Sequence, residues 1–257
     1  MIGFLIKKNF FDMWDNLFRI ALINIGFIVS LSLPIFLPSL FTNIPALGIA
    51  VLVAGVLWCF VYLSTAALCL KTVSDYGSFG FVDFYKNFKE VWPIGLVMGA
   101  LACLITLLIL IVIPFYVSLG SIVGLILAAI VFWILVVAAL SLQFFFAVRS
   151  RLDTKISKIF KKCLIVFFDN PMFCVFMMIG NIAMLVISTF SAFLFPGPAG
   201  ILLFMDQGLR LRLLKYDWLE ENPEANKKDI PWDALLIDDR ERTGTRTLRS
   251  FIFPWKD

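Results

Sequence analysis

Few residues in this chain of 257 could do chemistry, and their types narrow what that chemistry would be. There is no histidine, so the side chain that most often acts as a base or metal ligand near neutral pH is missing. The five cysteines, Cys59, Cys69, Cys103, Cys163 and Cys174, form no CxxC pair. Four lie within apolar runs and the fifth at the foot of one, where a thiol behaves as a small apolar group. No disulfide, no metal and no cofactor are expected. The phosphate-binding GxxxxGKS/T motif, a strand-linked GxGxxG, HExxH and GxSxG are all absent. No catalytic residue is assigned, and the chain reads as a non-enzyme.

What remains is a small set of polar groups in apolar surroundings. Asp169 and Asp206 are the carboxylates nearest a membrane interior, and an ionisable residue there is a functional hypothesis by default. Each also has a plainer reading. Asp169 can face water beside Lys161 and Lys162, and Asp206 stands one turn from Arg210, the spacing of an intrahelical pair. Asn24, Asn181 and Asp206 are the candidates for an intramembrane polar path. Amides in such places, Gln143 included, more often hydrogen-bond between helices. The last set is Lys155, Lys158, Lys161 and Lys162, a candidate contact for lipid headgroups or a partner. Their plainer role is to report sidedness.

The elements that position these groups are helices in a membrane. The chain is 61% hydrophobic and 16% charged, against about 45–50% and 25% for a soluble domain. Its mean hydropathy is +0.96. Apolar runs over about 20–37, 44–70, 93–117, 121–148 and 172–195 are long enough to span. A sixth, 198–214, is weak, because extending it to full length takes in Asp206, Arg210 and Arg212. Acidic Asp12 and Asp15 interrupt the first residues, unlike a cleavable leader.

Charge sets the topology. The segment before the first span has three Lys and Arg, the linker after the second has three, the linker after the fourth has six, and three follow the sixth segment. The opposite turns have none. Alternation of this kind puts the basic linkers in the cytoplasm and requires an even number of spans. Residues 1–19 place Lys8, Asp12, Asp15 and Arg19 on one helical face. With an aromatic remainder, this helix should lie in the interface plane; a docking helix for a partner is the alternative. Phe81, Phe84, Phe88 and Trp92 mark a second such helix, which Pro93 separates from the third span. Ile156, Ile159, Phe160 and Cys163 are the apolar face of a third, closed by Asp169-Asn170-Pro171. The expected fold is all-α: a polytopic membrane protein of six transmembrane helices. They form three hairpins, each preceded by an amphipathic interfacial helix, with the last helix short or re-entrant.

The transmembrane domain is assigned to 1–215, with 15 Lys and Arg against 8 Asp and Glu, and a cytoplasmic tail to 216–257, with 7 against 10. In the tail, Trp232, Leu235, Leu236 and Ile237 suit a short docking helix. Phe251, Phe253 and Trp255 suit a return to the membrane.

Three stretches in order resemble the YesL-like family of bacterial integral membrane proteins, a domain of unknown function. They are WDNLFRIALINIGFIVSLSLP, STAALCLKTVSDYGSFGFVDFYKNFKE and FFFAVRSRLDTKISKIFKKCLIVFFDNP. The resemblance covers about residues 10–214. The chain departs from the family at Leu63-Ser64, where a proline is usual, and in its long tail. The resemblance implies a bacterial plasma-membrane protein, multi-pass, with both termini cytoplasmic. It implies an accessory or regulatory component associated with carbohydrate transport of the ABC type, contacting membrane lipids and transport components through the tail. It supplies no catalytic residues. The alternative is a small membrane transporter or channel with a polar path between the hairpins. Nothing points to nucleic acid.

Overall fold

The structure is a computed structural model that describes residues 1–224, 226, 230–244 and 246. The aromatic end of the tail, with Phe251, Phe253 and Trp255, lies outside the described residues. Helices α1 (Ile2–Asp15), α2 (Leu17–Phe36), α3 (Pro45–Ser74), α4 (Phe81–Leu107), α5 (Ile113–Ser118) and α6 (Ile122–Leu142) form the first half. Then come α7 (Phe145–Arg151), α8 (Ile156–Asp169), α9 (Pro171–Phe190), α10 (Gly197–Glu221), α11 (Trp232–Leu235) and α12 (Ile237–Thr243). Among the described residues there is no strand.

Five stretches are long and apolar enough to cross a membrane: Leu17–Phe41, Pro45–Ser74, Phe81–Ser118, Ile122–Arg151 and Pro171–Phe190. Their outer surfaces are hydrocarbon. Leu110 is 67% exposed, Ile122 77% and Phe190 88%, a surface that water would not tolerate over so wide an area. The chain is therefore a membrane-embedded helical protein.

Close backbone approach holds the spans together, because lipid gives apolar helices no reason to associate. The hub is α3, which packs against α2, α4, α7 and α10. On α4, Gly95 and Gly99 stand four apart; a Cβ on them would lie 2.4 Å from the Val61 Cα and 3.1 Å from the Leu57 Cα. In the α9–α10 pair, Gly180 receives the Phe204 ring and Gly208 the Met177 side chain.

Three expectations change in detail. First, Pro93 does not separate two helices; it lies inside α4, so the aromatic interfacial segment and the third span are one element. A proline costs a membrane helix one backbone bond, which its neighbours can offset. Second, the middle hairpin is joined at its tip. There α5 meets α6, but α4 lies on α3 while α6 packs on α8 and α9. Third, α10 runs unbroken to Glu221, through position 215.

The turn between α9 and α10 is anchored at Asn24. Asn24 Nδ2 donates to the Leu194 and Pro196 carbonyls, both at 2.9 Å, and its Oδ1 accepts from the Ala199 amide at 2.9 Å. Asn24 lies seven residues into α2, about 10 Å along it at 1.5 Å per residue. The tip of the α9–α10 hairpin thus meets α2 near that helix's beginning.

Candidate functional site

At the end of the bundle where the basic linkers gather, charged side chains from four helices and from the turn after α3 form a buried network. On α1, Lys8 is 2% exposed and Asp12 8%. Lys8 Nζ donates to Asp12 Oδ2 at 2.7 Å, and Gln207 Nε2 of α10 donates to the same oxygen at 2.7 Å. The Lys8 ammonium also stands 3.6 Å from the centre of the Tyr76 ring, a cation–π contact. Burial lowers the Lys8 pKa and raises that of Asp12, and the attraction between the two works against both shifts. Lys8 and Asp12 therefore face the protein rather than water, whereas Asp15 of the same stripe is exposed. Gln207 and Tyr76 replace the solvent that the stripe would otherwise need. Asn16 separates α1 from α2, so Arg19 belongs to the next helix.

Asp206 of α10 is 2% exposed. Arg151 of α7 grips both its oxygens, with Nε to Oδ1 at 2.9 Å and Nη2 to Oδ2. Ser150 Oγ donates to Oδ1 at 3.1 Å. Arg151 Nη2 reaches on to Asp75 Oδ1 at 2.9 Å and Ser74 Oγ at 3.1 Å. The expected pairing of Asp206 with Arg210 is not made. An intrahelical pair is worth about 0.2–0.5 kcal/mol, and a buried bidentate guanidinium from another helix outcompetes it. Arg210 instead donates to Asp239 of α12 at 3.0 and 2.9 Å.

The tail closes the network. Tyr76 OH donates to Asp239 Oδ1 at 3.0 Å. Tyr76 sits at φ 63°, a left-handed conformation that bulky residues rarely adopt, with Lys8 and Asp239 holding it there. Burial pushes its hydroxyl up to about 12. Leu236 is fully buried and Trp232 packs against the main core. Lys7 Nζ donates to the Gly244 carbonyl at 3.0 Å, and Arg246 donates to both Asp15 oxygens at 2.9 Å. The docking element expected around Trp232 to Ile237 is thus a pair of short helices seated on the chain's own membrane domain.

The other sequence candidates fall elsewhere. Asn24 holds the α9–α10 turn, as described above. Asn181 Nδ2 donates to Gln143 Oε1 at 3.2 Å, and its own Oδ1 is buried with no partner among the described residues. No hydrogen bond among the described residues links Asn24, Asn181 and Asp206 to one another. Asp169 is exposed, in keeping with its water-facing reading, and accepts from Tyr216 OH at 2.7 Å and Asn170 Nδ2 at 3.0 Å. Lys158 and Lys162 stand 3.8 and 3.4 Å from Asp153. The Lys155 amide donates to the same carboxylate at 3.1 Å, which lowers the Asp153 pKa. Lys161 lines a shallow groove with Leu164, Phe168 and Asp169. Ile159 and Cys163 are fully buried, as the apolar face of α8 requires.

Beside the network a polar cavity of about 470 Å³ is lined by Lys71, Asp75, Asn87, Glu90, Arg149 and Ser150 among others. Arg149 Nη2 donates to Glu90 Oε1 at 2.7 Å. Asp75 is likewise matched by Arg151, while Lys71 pairs with no carboxylate among the described residues. Ser150 Oγ is engaged by Ala147 O as well as Asp206, and Asp206 is held by Arg151. Neither is poised as a nucleophile or base. Among the described residues no three His, Cys, Asp or Glu side chains converge as metal ligands. All five cysteines are free thiols.

Sequence reasoning missed Lys8, Asp12, Arg151, Gln207 and Asp239 as one constellation. Almost nothing local signals it. The one hint was the pairing of opposite charges at Lys8 and Asp12, four residues apart on an otherwise aromatic helix. In comparisons with known proteins, no family model, no curated protein and no solved structure matches the chain.

Proposed function

We propose that the chain is a non-enzymatic plasma-membrane protein. In this reading it serves as an accessory or regulatory component of carbohydrate transport of the ABC type, as its resemblance to the YesL-like family implies. The observation that carries the non-catalytic part is the state of the buried charges. Lys8 is matched by Asp12, Arg151 by Asp206 and Arg210 by Asp239. A site built for acid–base or nucleophilic work would leave one such group free to react. Here they tie α1, α7, α10 and α12 into a rigid face, as suits a protein that works by contact. That face carries the exposed lysines of α8 and the start of the tail, and it is the surface offered to transport components and to anionic headgroups.

The topology belongs to the same reading. Both termini lie in the cytoplasm, and the sixth segment, residues 198–214 within the longer α10, is short or re-entrant. Two features support this. The α9–α10 turn meets α2 at Asn24, near the basic end, and the polar groups of α10 are sheltered by other helices rather than exposed to lipid. A buried helix of this kind need not be apolar throughout.

Uptake of labelled carbohydrates by cells with and without the chain tests the function. The reading expects uptake of at least one carbohydrate to fall without it and to return with the full chain. Unchanged uptake across a broad set counts against it. Carbohydrate flux through liposomes holding the purified chain alone would favour the transporter alternative.

A further inference from the structure

A second cavity, of about 430 Å³, lies away from the charge network, between the start of α2, the middle of α3 and the segment leading into α4. Its walls are Leu22, Ile23, Tyr62, Phe79 and Phe84, and its single charge is Arg19. The volume falls in the range of about 300–1,000 Å³ typical of small-molecule sites, which are mostly apolar with a few placed polar groups.

The polar tip of Tyr62 is already used. Its hydroxyl donates to the Ile23 carbonyl at 2.9 Å, and its ring lies 5.5 Å from that of Phe84, so it contributes hydrocarbon to the wall. Gly26 leaves room for that hydroxyl, since a Cβ there would stand 2.1 Å from it. Arg19 is the remaining handle. It donates to Asn16 Oδ1 at 2.9 Å. Unlike Arg149, Arg151 and Arg210, it pairs with no carboxylate among the described residues. The surroundings are wet by lipid rather than water. Phe18 is 85% exposed, Phe81 84% and the wall residue Leu22 54%, the apolar belt expected where a helix bundle meets headgroups.

We propose that this cavity holds an acyl chain of an anionic phospholipid, with the lipid phosphate on Arg19. A guanidinium matches a phosphate's geometry and charge in two parallel hydrogen bonds. Basic pockets between membrane helices on the cytoplasmic side are suited to anionic headgroups. Apolar walls of six side chains, Phe81 included, and one unmatched cation at the rim fit an amphiphile, and they fit neither a sugar nor a soluble metabolite. The proposal is independent of the transport reading.

Native mass spectrometry of the full chain, released from membranes containing equal phosphatidylglycerol and phosphatidylcholine, tests it. The wild type is expected to retain one phosphatidylglycerol in preference to phosphatidylcholine. Arg19→Gln should cut that preference about tenfold, the loss of one charge-assisted pair. Leu22→Trp, which fills the cavity, should lower retention of both lipids with the melting temperature unchanged. Equal retention of the two lipids by the wild type, or an undiminished preference in Arg19→Gln, would overturn the proposal. So would displacement of phosphatidylglycerol by an equal concentration of oleate, which would make the occupant a fatty acid.

Discussion

Replacing Asp206 with asparagine probes the centre of the buried network. The Asp206 side chain is 3% exposed and that of Arg151 9%. Breaking a buried pair from one side costs about 3–5 kcal/mol, because the surviving charge is left uncompensated. Arg151 keeps Asp75 at 2.9 Å and Ser74 at 3.1 Å, which puts the loss at the low end, about 3 kcal/mol. At about 2–4 °C per kcal/mol for a chain of this size, the melting temperature should fall by about 6–12 °C. Circular dichroism of the purified protein in mild detergent reads this directly. A companion variant separates pairing from packing. Arg151→Met combined with Asp206→Leu removes both charges, and such replacements are often neutral or stabilising, so the double variant should melt well above the single one. A single variant within about 2 °C of wild type would refute the reasoning. So would a double variant that melts as low as the single.

Other outcomes follow from the same geometry. Leu236→Asp should lift α11 and α12 from the bundle, so that Lys8, unreactive in the wild type, is modified by an amine-directed reagent; equal protection in both proteins would contradict the docking. Gly99→Leu should weaken the α3–α4 contact, since its side chain would run into the Leu57 backbone 3.1 Å away; overpacking costs about 1–3 kcal/mol, and a melting temperature equal to wild type would count against that contact. Alkaline titration probes Tyr76. Its hydroxyl is raised from 10.0 to about 12, so its contribution to stability is complete below pH 10 and lost as the pH rises through about 12. Alkaline unfolding of Tyr76→Phe should lack that step; a profile identical to wild type would sink the assignment.

The sequence carried the parts of this structure that repeat locally. Apolar runs of about 18 residues or more mark five helices able to cross a membrane, and Lys and Arg gather on alternate linkers. The apolar face of α8 and a short helix around Trp232 to Ile237 were also legible, because periodicity and an isolated apolar cluster are local signals; α12, with its charged run to Thr243, was not. The candidate site was not. Asp206 and Arg151 are 55 residues apart, and Asp239 meets Tyr76 across 163, so no window of sequence contains either pair. The charged stripe of α1 shows the general difficulty. Its spacing identified one face, but the hydrophobic pattern could not say whether that face met water or a second polar surface. Gln207 and Tyr76 supply that surface from distant elements. Pro93 misled for the opposite reason, since a helix breaker in water is tolerated within a packed membrane helix. The four-residue spacing of Gly95 and Gly99 was a readable signal of close helix packing that went unused.

The central claim is that the chain works by contact with transport machinery, and co-purification tests it most directly. The tagged full chain, extracted in mild detergent, would be compared by quantitative mass spectrometry with an unrelated tagged membrane protein. The account predicts enrichment of subunits of a carbohydrate importer, reduced when Leu236→Asp disturbs the docked tail. Recovery of no transport component above the control would contradict it.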